Sequence, residues 1–217
     1  MRIVTYFYVV DADRSSRLRL VSWAREQSFV VRPFLSAADF IEELPHLGCG
    51  IVLIDVQNAG NDGFDVIETV ARTRLACPVI AMTEAADTRV AVEALKRGAI
   101  DFLAKPIGAS ELHEAVAVAR RILEQRRELS DRLEREGSAL ARLTAREREV
   151  LAGMAEGKTS KMIASEHALS ARTVEAYRSG LIEKLGVPTA AAAIAVVVRH
   201  ETALLTQGSR ISAAQGR

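Results

Sequence analysis

Cysteine is scarce in this chain. Only Cys49 and Cys77 occur in 217 residues, and their interval has no metal-like spacing. The four histidines, His46, His113, His167 and His200, are scattered as well. Together these exclude a secreted disulfide framework and a compact Cys/His metal motif, and leave two reduced thiols in a cytoplasmic protein as the expectation. No apolar run is long enough to cross a bilayer, so no membrane span is expected. The opening MRIVTYFYVVDADRS joins a basic residue to an apolar run, but no small-residue cleavage site follows and acids arrive at once. A signal peptide is therefore not expected. A large net charge is missing too, the formal balance being +1.

What is present is 49% hydrophobic and 26% charged content, the balance of a soluble globular protein of one or two domains. The charge is unevenly placed. From Ser138 onward 11 Lys+Arg face 7 Asp+Glu, a surplus of +4, against 18 and 21 before it, or −3. The basic end is the candidate for contact with phosphates.

Residues 1 to about 125 alternate strand-like and helix-like segments. The runs IVTYFYVV, GIVLIDV, PVIAMT and AIDFLA are continuously apolar, as strands buried on both faces of a parallel sheet must be. FVVRPFL supplies a weaker strand whose Pro33 suits an edge. Helical periodicity falls on Ser15 to Gln27, Ser36 to Leu44, Gly63 to Leu75, Ala86 to Gly98 and from Ser110 onward. Five strands alternating with five helices predict a doubly wound α/β domain, with its site in the crevice at the carboxyl ends of the strands.

Asp11 ends the first strand, Asp55 the third and Thr83 the fourth, and Lys105 follows the fifth. Acids, a lysine and a hydroxyl around one crevice suit a divalent cation and a phosphoryl group, since Mg²⁺ takes oxygen ligands. Each residue also has a plainer reading: Asp13 is placed to cap the first helix, Thr83 the fourth, and Lys105 to be a solvated loop charge.

From Leu143 to Gly186 the punctuation changes to that of short helices. Thr144 with Glu147 forms a capping box that launches a helix through Met154, stopped by Gly157. Ser160 is placed to cap a second helix over Lys161 to Ala168, and Ser170 a third running to Leu185. Two helices across a tight turn are a helix-turn-helix. At about 100° per residue, Val174, Leu181 and Leu185 share the inward stripe, while Arg172, Ala176, Ser179 and Glu183 lie opposite, flanked by Thr173 and Glu175. That outer face suits a major groove, although a small bundle whose polar face meets water satisfies the same periodicity. Arg178 lies roughly 40° off the apolar stripe, which makes it an intradomain partner for Glu147 or Glu149 first and a phosphate contact second.

The motifs LTxREREVLxxMxxG, KxIA and SxRTVExxR followed by KLxV closely resemble the DNA-binding domain of LuxR-type regulators over Leu143 to Val187. The resemblance implies base-facing positions at Glu175, Ala176 and Ser179, and backbone-phosphate contacts at Ser160, Lys161 and Thr173. His167 replaces a usual leucine, and Ala171 and Ala176 make the contact face plainer than usual.

The strand-end set, with Gly63 eight residues after Asp55, Phe102, and Lys105 followed by Pro106, resembles the receiver domain of two-component response regulators. The whole chain is similar to a FixJ/NarL-type regulator. That resemblance implies that Asp55 accepts a phosphoryl group from a histidine kinase, that Lys105 and Thr83 bind its oxygens, and that Phe102 turns inward as Thr83 moves. It implies a cis bond between Lys105 and Pro106. It also implies Mg²⁺ held by Asp11, Asp55 and the Gln57 backbone, with Asp13 as a substitute ligand. Three departures weaken the expectation: Ala12 replaces a second acid, Ala59 a proline, and Glu84 a small residue, adding like charge near the phosphoryl position.

The expected organisation is a receiver over 1–122, a charged helical connector over 123–140 ending at Gly137, a helix-turn-helix domain over 141–207 and a disordered tail over 208–217. The connector's heptad is broken by Arg126 and Ser130, so a lone helix held by Glu/Arg pairs is favoured over a coiled coil. TAAAAIAVVVRHETALL reads as a fourth helix, serving either the core or a homodimer on double-stranded DNA. An enzyme is not expected, because Gln57 stands where a phosphatase would carry a second catalytic acid. A protein-binding antagonist built on the same fold remains the alternative.

Overall fold

The computed structural model of the chain describes residues 5–57, 63–73, 77–84 and 88–215. It divides into two compact units, 1–128 and 129–217. In the first, the elements alternate as β1 (Tyr6–Val10), α1 (Arg14–Glu26), β2 (Val30–Phe34), α2 (Ala37–Glu43), β3 (Gly50–Asp55), α3 (Gly63–Thr73), β4 (Val79–Thr83), α4 (Thr88–Lys96), β5 (Asp101–Ala104) and α5 (Ala109–Ala141). The expected helix ends at Leu75 and Ala86 lie outside the described residues.

The strands form one parallel sheet in the order β2-β1-β3-β4-β5. Alternation along each strand feeds two cores. Tyr8, Val10, Val52, Ile54 and Val79 pack with Phe40, Val66, Ile67 and Val70 on one face. Phe7, Val9, Ile51, Leu53 and Ile80 pack with Leu20, Val21, Leu112, Val116 and Leu123 on the other. All six residues of β3 are buried, and the removal of Ile51, Val52, Leu53 and Ile54 from water stabilises the fold by about 1.5–3 kcal/mol per side chain. From β1 the chain proceeds to β2 on one side and to β3 on the other, which makes the β1/β3 boundary the topological switch point. Gly63 begins α3 where an added Cβ would lie 2.8 Å from Val56 Cα and 2.9 Å from its carbonyl oxygen. Only glycine lets the helix start so close to the end of β3.

The second unit contains the last turns of α5 with α6 (Ala145–Ala155), α7 (Ser160–Glu166), α8 (Ala171–Leu185) and α9 (Ala190–Gln215). Its core gathers Leu143, Val150, Leu151, Met154, Ile163, Val174, Leu181 and Ala193.

Three sequence expectations change here. The connector does not end at Gly137: α5 continues to Ala141, because α9 packs on it and a Cβ at Gly137 would meet His200 Nε2 at 2.8 Å. Nor is that stretch a lone helix, since Arg199 of α9 pairs with Glu136 at 2.7 Å and Ala139 is buried. The tail expected to be disordered is helical through Gln215, with no proline after Pro188 to stop it.

Candidate functional site

Asp11 directly follows β1 and Asp55 closes β3, so the switch point brings both carboxylates to one crevice, where both are fully buried. Lys105, just past β5, joins them: its Nζ donates to Asp11 Oδ2 at 2.9 Å and to Asp55 Oδ2 at 2.5 Å. The other carboxylate oxygens accept backbone amides, Asp13 N–H to Asp11 and Gln57 N–H to Asp55, each at 2.9 Å. Every carboxylate oxygen in the crevice therefore has a donor, as burial demands. Burial works against the Lys105 ammonium, but its hydrogen bonds to Asp55 and Asp11 outweigh it and hold its pKa above the ordinary 10.5.

Thr83 ends β4, is fully buried, and its carbonyl accepts the Lys105 N–H at 2.8 Å. The Lys105–Pro106 bond is cis. Phe102 is half-buried against the cluster that includes Ala81 and Ala94. Asp13 does not join the acids. Its carboxylate caps α1 by accepting the Ser16 N–H at 2.6 Å, the plainer of its two sequence readings. Ala12 is exposed, and so is Glu84, which leaves the Glu84 charge screened by water. Ala59 lies outside the described residues. A contributor with no sequence signal is Arg17, whose guanidinium reaches the Asp11 and Ala12 carbonyls at 2.5 and 3.1 Å and ties down the loop after β1.

Among the described residues no cluster of three His, Cys, Asp or Glu side chains forms a metal site. The crevice still offers hard oxygen donors. Two carboxylates satisfy the way Mg²⁺ binds beside a phosphate, retaining water in the remaining positions.

In the second unit, α7 and α8 are joined by a turn in which Ala168 adopts a left-handed conformation with φ 54°. Ser170 caps α8, accepting the Thr173 N–H at 3.0 Å, as expected from sequence. Thr144 and Glu147 form the full capping box of α6. The α7 cap is Thr159 rather than Ser160, since Thr159 has the extended backbone a cap needs and accepts from the Met162 N–H. Ser160 is thereby released to join the two helices: its hydroxyl accepts from Arg178 at 2.8 Å and contacts the Glu175 carboxylate.

Arg178 is intradomain, as predicted, but its partners are Ser160 and Glu175. The expected partners are engaged elsewhere. Glu147 is held by Lys184 at 2.8 Å, and Glu149 by Arg146 at 2.8 Å and His167 at 3.4 Å. Helical rotation identifies a face but not which residue of another helix meets it. Arg172, Glu175, Ala176 and Ser179 all open outward from α8, Lys161 from α7, and Thr173 is half-buried beside Ser170. Of the inward stripe, Val174 and Leu181 are fully buried, while Leu185 is half-buried against the same core.

An acid-and-lysine crevice at the switch point of a five-stranded parallel sheet, in one chain with a helix-turn-helix whose reading face is open, defines a receiver joined to a DNA-binding module. Residues 7–117 match the response regulator receiver domain and residues 141–197 the bacterial regulatory proteins of the luxR family. The chain belongs to the two-component response regulators of the FixJ/NarL type, DNA-binding regulators of transcription. It is 33% identical over 180 residues to the transcriptional regulatory protein FixJ of Bradyrhizobium diazoefficiens, covering 83% of this chain and 88% of that one. It is 29% identical over 197 residues to the response regulator protein TmoT of Ectopseudomonas mendocina, covering 91% and 90%. Among solved structures it is similar to the response regulator StyR, with a TM-score of 0.76 at 28% identity over 91% of this chain and 100% of that one. Full-length FixJ from B. japonicum gives 0.55 at 31% identity, covering 91% and 98%. No single helix among the described residues is long and apolar enough to cross a membrane.

Proposed function

We propose that this chain is a cytoplasmic, non-enzymatic regulator whose receiver accepts a phosphoryl group on Asp55 from a sensor histidine kinase and thereby controls pairing of two copies on double-stranded DNA. The observation that carries the reading is the Lys105 ammonium bridging the buried carboxylates of Asp11 and Asp55. In the transfer, an Asp55 carboxylate oxygen forms the new bond to phosphorus as the phosphorus–nitrogen bond of the kinase phosphohistidine breaks, leaving the imidazole as product. Lys105 follows the new charge onto a phosphoryl oxygen, and the Thr83 hydroxyl moves to donate to another. Phe102 then turns further into the space behind Thr83. Asp11, Asp55 and the Gln57 carbonyl would hold Mg²⁺, which supplies positive charge opposite the phosphoryl oxygens. With Ala12 in place of an acid and Asp13 committed to a helix cap, that binding is weak and the transfer slow.

On the DNA side, Arg172, Glu175, Ala176 and Ser179 meet base edges, and Ser160, Lys161 and Thr173 approach the phosphates, with Arg178 positioning Ser160. Incubation with a small-molecule phosphodonor and Mg²⁺ is expected to add one phosphoryl mass to wild type, none to Asp55→Asn, and to tighten binding to duplex DNA. The crevice favours a second reading as well, because Lys105 already neutralises one of its two negative charges without a metal. Duplex binding and self-association that stay equal in wild type and Asp55→Asn, with and without phosphodonor, would establish that phosphorylation-independent form.

A further inference from the structure

At the opposite end of β3 from Asp55, Cys49 Sγ lies 3.7 Å from Cys77 Sγ. Cys49 immediately precedes β3 and Cys77 lies just before β4, neighbouring strands of the sheet. The loop carrying Cys49 is held from both sides. The Tyr8 hydroxyl donates to the Gly48 carbonyl at 2.8 Å, and the Arg127 guanidinium of α5 donates to the Cys49 carbonyl at 2.8 Å. Burial first, then the nearby Cys77, pushes the Tyr8 pKa up to about 12, so this hydroxyl remains a donor throughout the physiological range. The flanking glycines let this loop lie close against β1: a Cβ at Gly48 would sit 2.7 Å from the Tyr6 ring, and one at Gly50 2.7 Å from the Tyr6 carbonyl oxygen. Cys49 is half-buried, whereas Cys77 is buried, so Cys49 is the more accessible of the two thiols.

We infer that Cys49 and Cys77 are a dithiol site that closes to an intramolecular disulfide when the protein meets hydrogen peroxide. The Cys49 sulfur attacks the peroxide oxygen, the oxygen–oxygen bond breaks, and a sulfenic acid and one water result. The Cys77 sulfur then attacks the Cys49 sulfur and displaces the hydroxyl as a second water, its thiol proton being taken up in that step. Two thiols have lost two electrons and two protons, and the peroxide has become two waters. The sulfurs need only close from van der Waals contact to bonding distance, about 2.05 Å. The pinned Cys49 loop keeps them in register for that step.

The test is intact-mass and peptide mapping of the natively folded, full-length reduced protein treated with equimolar hydrogen peroxide. The expected result is a monomer lighter by two hydrogen atoms, carrying a Cys49–Cys77 linked peptide and restored by dithiothreitol. In Cys77→Ser the reaction halts at a sulfenic acid on Cys49 that dimedone traps, and in Cys49→Ser no internal bond forms. Circular dichroism of both variants checks that the fold is retained. Cross-linked dimers, or oxygen added at either cysteine of wild type without the internal bond, would overturn the inference.

Discussion

The Arg178 guanidinium donates to the Ser160 hydroxyl at 2.8 Å, tying the reading helix α8 to α7 at the point where both approach DNA in the proposed complex. Ser160 has this freedom because its neighbour Thr159 performs the capping. Arg178→Ala leaves the Ser160 hydroxyl and the Glu175 carboxylate without their basic partner. The expected cost is about 1 kcal/mol of stability, read as a lower urea midpoint of the second unit, together with weaker duplex binding. Unchanged affinity would show that Ser160 needs no positioning.

Lys161 and Arg172 are exposed, and their charges answer to salt rather than to packing. Replacing Lys161 with Ala should weaken binding to specific and unrelated duplexes alike and reduce the slope of log K against log salt by about 1. Thermal stability should hardly move. Arg172→Ala is expected to separate from it by weakening the preferred sequence more than unrelated DNA, measured by competition at fixed ionic strength.

Lys105→Met removes the ammonium that bridges two buried carboxylates. The expected destabilisation at neutral pH is about 3–5 kcal/mol in urea unfolding, because the two buried acids lose their bridging cation. In wild type the bridge answers to alkali. The folded pKa of Lys105 lies above its ordinary 10.5, so its stabilising contribution is complete below 10.5 and is lost only as pH rises through the higher folded value. Stability that instead declined between pH 7 and 9 would contradict this bridge.

Glu147 is held below the usual carboxylate range chiefly by Lys184, then by the Thr144 amide. Its contribution is therefore present above its ordinary 4.5 and lost as pH falls through the depressed folded value. Glu147→Gln keeps the capping box and loses only the charge pairing, for about 1 kcal/mol. Glu147→Ala loses both and should cost roughly twice as much by the same reasoning. Acid titration of the helical signal by circular dichroism should show wild type and Glu147→Gln converging only as pH falls well below 4.5, through the depressed folded value.

Much of this architecture could be read from the chain itself. Continuous apolar runs ending in Asp11, Asp55 and Thr83 placed the crevice, because a strand buried on both faces has a single periodic signature and its end is where that signature stops. The Thr144–Glu147 box and the Ser170 cap were equally plain, being local bonds over three residues. What stayed hidden depends on meetings between distant segments. Whether Thr159 or Ser160 caps α7 turns on one residue's backbone, and both side chains are competent. Gly137 reads as a stop in the sequence, whereas in the fold His200 of another helix occupies the room a side chain would need. Cys49 and Cys77 gave no signal at all, since only the pairing of β3 with β4 brings together two positions 28 apart in the chain.

The edge strand β2 carries a further consequence. Val30 N–H and the Phe34 carbonyl both point inward to β1. Alternation therefore turns the position of Pro33 outward, where proline supplies no donor. Beside it, Arg32 and Glu43 form an exposed ion pair at 2.7 Å. An incoming strand from another molecule would meet a missing hydrogen and a solvated charge in succession. Polymerisation by sheet extension is thus discouraged on that margin, and the domain can be brought to high concentration on DNA without nucleating fibrils there.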